Sequence, residues 1–155
     1  MAVEEGKRAP AFTLKDGSGR AVSLSDYAGQ DVILYFYPRD DTPGCTKEAC
    51  GFRDGWEDLR KLGAVVLGVS PDGAAAHQKF AAKYALPFAL LSDPDKSVLA
   101  KYGAWGEKMM YGKRVTGVIR STVWIGKDGK VRRHWRRVAR AEAHPGDVLA
   151  ALRAG

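Results

Sequence analysis

The chain has 155 residues, of which 45% are hydrophobic and 28% charged, a composition typical of one folded domain with its own core. Its formal net charge is +7 and it contains two cysteines. No apolar run approaches the length of a membrane span, and the opening MAVEEGKRAP lacks the apolar centre of a signal peptide. We therefore expect a single domain over residues 1–155, located in the cytoplasm, where two cysteines are more often reactive thiols than a permanent structural disulfide.

Strand and helix patterns alternate along the first half of the chain. Strand-like segments on both sides of the turn at residues 17–19 predict a β-hairpin. The next strand-like segment is apolar throughout residues 32–37, as expected of a strand buried on both faces, and Pro38 ends it because proline donates no ladder hydrogen bond. From Pro43 to about Leu62 apolar residues recur at helical spacing, which predicts an amphipathic helix.

The second half continues the alternation and ends in a hairpin and a helix. Residues 63–70 predict another buried strand, and Asp72 is the expected N-cap of the helix that follows. A short strand precedes a helix closed by Gly103, and the Asp-Gly pair at 128–129 predicts a hairpin. A last amphipathic helix is expected over residues 144–153. The predicted fold class is α/β, with a mixed central sheet flanked by helices and an N-terminal β-hairpin extension.

Basic residues concentrate in the last predicted hairpin. We expect its strands over residues 117–126 and 130–138, and the second belongs to the arginine-rich segment KVRRHWRRVAR, residues 130–140. Clustered arginines can bind the phosphates of a nucleic acid. They also keep an exposed edge strand soluble, and the strand-like alternation without a nucleic-acid motif favours this interpretation. We therefore expect no nucleic-acid partner.

Both cysteines lie in the segment PRDDTPGCTKEAC, residues 38–50. Proline suits the first position of a helix, which places Thr42 at the N-cap and Cys45 in the first turn. Free backbone N–H groups and the positive end of the helix dipole favour the thiolate there, and the thiolate is the nucleophilic form. A buried, inert cysteine is the alternative. We favour a reactive thiol because a turn followed by a helix start is the setting that activates one.

The second cysteine, Cys50, follows Cys45 by five positions. On a regular helix, residues at this spacing are separated by about 7.5 Å along the axis, too far for a disulfide. Gly44 and Gly51 lower the cost of unwinding the segment between them. We hypothesise that Cys45 reacts first, that the helix opens locally, and that Cys50 then forms a disulfide with it.

Other cysteine chemistries fit less well. A zinc site needs four ligands, and His77, His134 and His144 do not lie at ligand spacing. A CxxC dithiol is excluded by the CxxxxC spacing. A cysteine hydrolase with one of the histidines as its base stays open, although it gives Cys50 no role.

The cysteine segment resembles the active-site sequence of the peroxiredoxins, in particular of the Q-type, or bacterioferritin comigratory protein, subfamily. Pro38, Thr42 and Cys45 match the family pattern Pro-x-x-x-Thr/Ser-x-x-Cys, and YFYPRDDTPGCTKEACGFRD is similar to the Q-type signature, including its second cysteine. The resemblance continues through GVSPD, FALLSDPD, YGAWGEK and GVIRST and so covers nearly the whole chain. It implies a thioredoxin-like fold with an N-terminal extension.

The resemblance also implies an antioxidant thiol peroxidase and a role for each matching residue. Cys45 would attack a hydroperoxide and become a sulfenic acid, which Cys50 would resolve to an intramolecular disulfide. Thr42 would hydrogen-bond the thiolate and the peroxide, Pro38 would shield the site from water, and Arg120 in GVIRST would stabilise the developing charge. Thioredoxin or a similar dithiol would reduce the disulfide. Neither a metal nor an organic cofactor is implied, and we expect a monomer.

One stretch departs from the Q-type pattern, since residues 123–126 read Val-Trp-Ile-Gly where Phe, an aliphatic residue, Ile and Asp are usual. We expect Trp124 in the core and Met109 and Met110 in a loop. The alternative function is a redox-sensing or nucleic-acid-binding module that uses the arginine-rich segment. Peroxide consumption that depends on Cys45 favours the peroxidase, whereas salt-sensitive DNA binding that does not depend on it favours the module.

Overall fold

The computed structural model describes residues 3–155, which form a seven-stranded mixed sheet and a separate two-stranded sheet. The strands, in chain order, are β1 (Thr13–Asp16), β2 (Ala21–Ser23), β3 (Asp31–Phe36), β4 (Ala64–Ser70), β5 (Ala89–Ser92), β6 (Trp105–Met110), β7 (Lys113–Val118), β8 (Ser121–Ile125) and β9 (Val131–Trp135). The large sheet has the order β2-β1-β5-β4-β3-β8-β9, and β6 pairs with β7 in the small one. The predicted N-terminal hairpin is confirmed as the antiparallel pair β1–β2.

Helices cover both faces of the large sheet. They are α1 (Pro43–Asp54), α2 (Trp56–Lys61), α3 (Ala74–Tyr84), α4 (Ser97–Lys101) and α5 (His144–Ala154), with a short 3-10 helix over Leu24–Tyr27. The single helix predicted from Pro43 to Leu62 is therefore two helices, because Gly55 ends the first and begins the second. None of these helices in residues 3–155 is long and apolar enough to cross a membrane.

The N-cap predicted for α3 was wrong. Gly73, and not Asp72, occupies that position. The Asp72 carboxylate instead accepts hydrogen bonds from the Asp40 backbone N–H at 2.8 Å and from the Ser70 hydroxyl at 2.7 Å. Asp72 thereby ties the loop after β3 to the end of β4, so it supports the segment that leads into α1.

Strand β3 is the centre of the molecule. It runs parallel to β4 and antiparallel to β8, and all six of its residues are buried, as the apolar run predicted. Val32, Leu34 and Phe36 join the core on the side of α4, and Ile33 and Tyr35 join the core under α1, α3 and α5. Because both faces are packed, the end of β3 is a fixed platform for the loop that carries the cysteine helix.

The strand predicted over residues 117–126 is divided. Strand β7 ends at Val118, β8 begins at Ser121, and Ile119 and Arg120 connect the two sheets. The Arg120 carbonyl oxygen accepts a hydrogen bond from the Val138 N–H at 2.8 Å instead of pairing along a strand. The division places Arg120 at the same edge of the sheet as the end of β3, because Phe36 pairs with Ser121.

The segment of Met109 and Met110 is a strand end and not a loop. These residues close β6, and a tight turn at Tyr111 and Gly112, both with positive φ, leads into β7. Such φ values are those of a two-residue hairpin turn. The tip is exposed and apolar, with Met109 66% and Tyr111 98% exposed.

Two further predictions about the last strands are confirmed. Trp124 is buried, and its indole N–H donates to the Asp31 carboxylate at 3.0 Å. The arginine-rich strand β9 lies at the edge of the large sheet with Arg132 and Arg133 exposed. The predicted hairpin β8–β9 and the last helix are also present.

Candidate active site

The first turn of α1 presents Cys45. Thr42 is the N-cap residue with extended backbone angles, and Pro43 is the first helical residue, as predicted. The first helical hydrogen bond runs from the Thr46 N–H to the Thr42 carbonyl oxygen at 2.8 Å. The N–H groups of Gly44 and Cys45 therefore precede the helical ladder, and they form the positive end of the helix dipole.

Arg120 makes the polar contact with the sulfur. Its Nη2 donates a hydrogen bond to Cys45 Sγ at 3.3 Å, and Cys45 is only 1% exposed. A Cβ atom on Gly44 would lie 3.2 Å from the same Nη2, so the glycine leaves the guanidinium room to approach. Arg120 thus holds a fixed cation beside a sulfur at a helix start, in a site from which water is largely excluded, where it can stabilise negative charge that develops during a reaction.

Glu48 holds the other side of the guanidinium. Arg120 Nη1 donates to Glu48 Oε1 at 2.6 Å, and the Glu48 side chain is fully buried. Burial raises the pKa of Glu48 to about 7, although the charge and hydrogen bond of Arg120 act to lower it. Its second oxygen, Oε2, has no hydrogen-bond partner among residues 3–155. The carboxylate orients Arg120 so that one nitrogen faces Cys45.

The two other residues matched by the sequence pattern lie around this group. The Thr42 hydroxyl donates its proton to the Arg39 carbonyl oxygen at 2.9 Å, so it has none left to donate to the sulfur and is free only to accept. Pro38 is half-buried and lines the same open cleft as Arg120. Of the five matched residues, Arg120 therefore contacts Cys45, Thr42 begins the same helix, and Pro38 shares a cleft with Arg120.

Cys50 lies further along the same helix. Helix α1 is continuous from Pro43 to Asp54, and both cysteines are free thiols. Over five residues of intact helix the two side chains are about 7.5 Å apart along the axis, which is incompatible with disulfide geometry. Cys50 is half-buried, whereas Cys45 is buried.

A hydrolase-like pair of cysteine and histidine is not formed by the described residues. The hydrogen-bond partner of Cys45 Sγ is Arg120. His77 instead contacts Asp40 at 2.6 Å, and His144 contacts the Thr122 hydroxyl at 2.7 Å. Within residues 3–155, no three histidine, cysteine or carboxylate side chains form a group suited to a metal ion.

Sequence reasoning missed Glu48, although the sequence contained a signal for it. Cys45, Ala49 and Phe52 form a buried stripe at helical spacing, and Glu48 lies inside that stripe. An acidic residue on an apolar helix face is costly to bury unless it has a cationic or hydrogen-bonding partner, so its presence there predicts one. Only the fold could identify that cation as Arg120, which is 72 positions away.

Comparisons with known proteins place this geometry in a family context. Residues 6–134 match the model of the AhpC/TSA family. Peroxiredoxin Bcp of Bacillus subtilis is 44% identical over 153 residues, which span 99% of this chain and 97% of the relative. Peroxiredoxin Bcp of Escherichia coli is 46% identical over 129 residues, which span 83% of each chain.

Solved structures agree with the sequence relatives. The bacterioferritin comigratory protein of Xanthomonas campestris, studied for its alkyl peroxide reduction activity, matches with a TM-score of 0.89 and 37% identity over 97% of this chain and 98% of that one. A cysteine variant of the PrxQ protein of Xylella fastidiosa matches with a TM-score of 0.91 and 34% identity over 98% and 96% of the two chains. These matches confirm the thioredoxin-like fold class.

Proposed function

Because the chain belongs to the AhpC/TSA family and is a thiol peroxidase of the peroxiredoxin Bcp and Q type, we propose that hydroperoxides oxidise Cys45 and that Cys50 resolves the product. The observation that carries the assignment is the 3.3 Å contact between Arg120 Nη2 and the sulfur of Cys45. Within residues 3–155, no arginine makes a comparable hydrogen bond to Cys50, which is more exposed than Cys45.

The first step is oxidation of Cys45. Its thiolate attacks the terminal oxygen of hydrogen peroxide or of an organic hydroperoxide, and the O–O bond breaks. The sulfur becomes a sulfenic acid, and the remaining oxygen leaves as hydroxide or alkoxide and takes a proton from water. Arg120 stabilises the negative charge as it moves from sulfur to the leaving oxygen. The Thr42 hydroxyl oxygen accepts a hydrogen bond from the O–H of the peroxide, which keeps its proton, while Pro38 restricts the access of water.

The second step is resolution by Cys50. Its sulfur attacks the sulfenic sulfur, the S–O bond breaks, and the oxygen leaves as water with the proton of the Cys50 thiol. Helix α1 must unwind for the two sulfurs to meet, since its intact form holds them apart. One domain carries both cysteines, so the cycle needs no second copy of the chain.

The third step restores the thiols. A dithiol reductant such as thioredoxin attacks the Cys45–Cys50 disulfide through a mixed disulfide and supplies two electrons and two protons. The disulfide is then a transient catalytic bond, and it also protects the sulfenic acid from further oxidation.

The proposal is tested by peroxide consumption with thioredoxin and thioredoxin reductase as the electron source. We expect the wild type to turn over, Cys45→Ser to be inactive, and Cys50→Ser to consume one equivalent of peroxide and then stop. Mass spectrometry after that equivalent should find sulfenic acid on Cys45 in Cys50→Ser and an intramolecular disulfide in the wild type.

Two results would refute the assignment. Turnover by Cys45→Ser at the wild-type rate would show that Cys45 is not the residue that reacts with peroxide. Sulfenic acid found on Cys50 of the Cys45→Ser variant, formed as fast as on Cys45 in the wild type, would show that the two cysteines have equivalent environments.

A further inference from the structure

An open cleft of about 290 Å3 lies beside the peroxide site, between the loop after β3 and the hairpin β6–β7. Three cationic side chains line it, those of Lys108, Arg120 and Arg137, together with apolar groups that include Pro38 and Met110. None of the lining residues described is acidic. Arg120 connects the cleft with the sulfur, because its side chain lines the cleft and its Nη2 contacts Cys45 Sγ at 3.3 Å.

Lys108 is built into this cleft. Its ammonium donates a hydrogen bond to the Val118 carbonyl oxygen at 2.7 Å, and the residue is half-buried. Its stem crosses Gly117, where a Cβ atom would lie 3.2 Å from Lys108 Cε. The glycine leaves room for the stem, so the cation has a fixed position and is not a freely moving surface lysine.

The ammonium of Lys108 is close enough to Arg120 and Cys45 for their charges to affect its pKa. Burial and the neighbouring Arg120 lower the pKa of Lys108, and Cys45 acts to raise it. One hydrogen bond to Val118 leaves other N–H groups of the ammonium available to a ligand.

The three cations of the cleft differ in whether they form an ion pair with a carboxylate. Arg120 is paired with Glu48 and hydrogen-bonded to Cys45. Neither Lys108 nor Arg137 forms an ion pair with any carboxylate of residues 3–155. Two cations that no carboxylate of the described residues neutralises, in a cleft lined by Arg120, attract anions and raise the local concentration of negatively charged substrates.

We propose that this cleft selects hydroperoxides that carry a carboxylate next to a short apolar chain. Lys108 and Arg137 bind the carboxylate, the apolar chain packs on Met110, and the peroxide oxygen reaches Cys45. This inference rests on the proposed function, because it concerns the substrate of the same sulfur. The carboxylate is not consumed, so the reaction needs no further reactant. A neutral hydroperoxide gains nothing from Lys108 and Arg137.

The test compares a short aliphatic hydroperoxy acid with its methyl ester, with tert-butyl hydroperoxide as a neutral reference. The readout is the ratio of kcat/KM for the acid to kcat/KM for the ester. We expect the wild type to favour the acid by about tenfold at low salt, with the preference reduced at high salt. Lys108→Gln and, separately, Arg137→Gln should bring the ratio toward one, mainly through KM of the acid.

Lys127→Gln is the matched control, because it removes one positive charge from the exposed turn between β8 and β9. It should leave the ratio at the wild-type value. Equal kcat/KM for the acid and the ester in the wild type would overturn the selectivity, as would a ratio that neither cleft variant changes. Failure of the wild type to reduce even tert-butyl hydroperoxide would overturn the proposed function itself, so the two failures are distinguishable.

Discussion

The thiols of Cys45 and Cys50 lie in different environments at two positions along helix α1. At the amino end, Cys45 is 1% exposed, and its sulfur accepts a hydrogen bond from Arg120. Further along, Cys50 is half-buried, and its thiol lies away from that cation. Position within one helix, and not residue type, therefore distinguishes the environments of the two thiols, and the proposed mechanism assigns them different roles on that basis.

The two ends are also anchored differently. The first turn is attached to Arg120 and Glu48 by hydrogen bonds between charged groups. The second half packs on α5, where Gly51 faces the ring of Pro145. Gly51 adds no side chain to this contact, and the neighbouring Phe52 packs its ring edge-on against that of His144. The first half is thus held by charged groups, whereas the half that carries Cys50 is held by packing, which must open for Cys50 to move.

The largest effect should come from the cation at the amino end. Arg120→Gln should lower the second-order rate constant for oxidation of Cys45 by hydrogen peroxide about 100-fold, since it removes the fixed positive charge beside the sulfur. Stopped-flow tryptophan fluorescence measures this rate. Arg114→Gln, which changes an exposed arginine of β7, is the control and should stay within about twofold of wild type. A loss smaller than about threefold in Arg120→Gln would contradict the role of the contact.

A smaller effect should come from the buried carboxylate. The pKa of Glu48 is raised by burial from 4.5 to about 7, so between these values the folded state binds more protons than the unfolded state. The free energy of unfolding should therefore fall as the pH rises through this window, by at most about 1.4 kcal/mol per pH unit from this group.

Glu48→Gln should remove that contribution. Urea denaturation across the window measures the slope for both proteins, and the variant should show the flatter profile. An identical slope in wild type and variant would mean that Glu48 titrates at its ordinary value and that Arg120 fully offsets the effect of burial.

The smallest effect should appear where α1 meets α5. A Cβ atom on Gly51 would lie 2.7 Å from Pro145 Cγ, so Gly51→Ala must push the helices apart. We expect a loss of about 1–2 kcal/mol in the free energy of unfolding, since overpacking outweighs the better helix propensity of alanine. Disulfide formation after oxidation of Cys45 should become faster, because the second half of α1 is held less tightly.

The control for this change is Gly146→Ala, since no atom lies within 4 Å of a Cβ atom built at Gly146. This variant should be as stable as wild type or slightly more stable. Wild-type stability of Gly51→Ala together with an unchanged rate of disulfide formation would show that the contact with Pro145 does not restrain the helix.

Most elements of the fold could be predicted from local sequence patterns. The apolar run of β3 and the turn signals of both hairpins of the large sheet predicted elements that are present. The hairpin β6–β7 was missed because its strands carry little apolar alternation and it packs outside the main sheet. The break at Gly55 was missed because apolar spacing continues on both sides of it.

The site was predictable in part. Thr42 and Cys45 could be placed because a proline and its neighbours define a helix start within a few residues. Arg120 came from family resemblance, since nothing local distinguishes it among 25 basic residues. Lys108 gave no signal at all, because its position depends on the crossing over Gly117 in a hairpin that was not predicted.

The central claim is that Cys45 and Cys50 can bond only after α1 opens between them. Amide hydrogen exchange of α1, measured before and after one equivalent of hydrogen peroxide, tests it most directly. We predict that the amides from Thr46 to Cys50 are protected in the reduced protein and lose protection in the oxidised one, together with formation of the intramolecular disulfide. Full protection retained in an oxidised protein that lacks a Cys45–Cys50 disulfide would contradict the account.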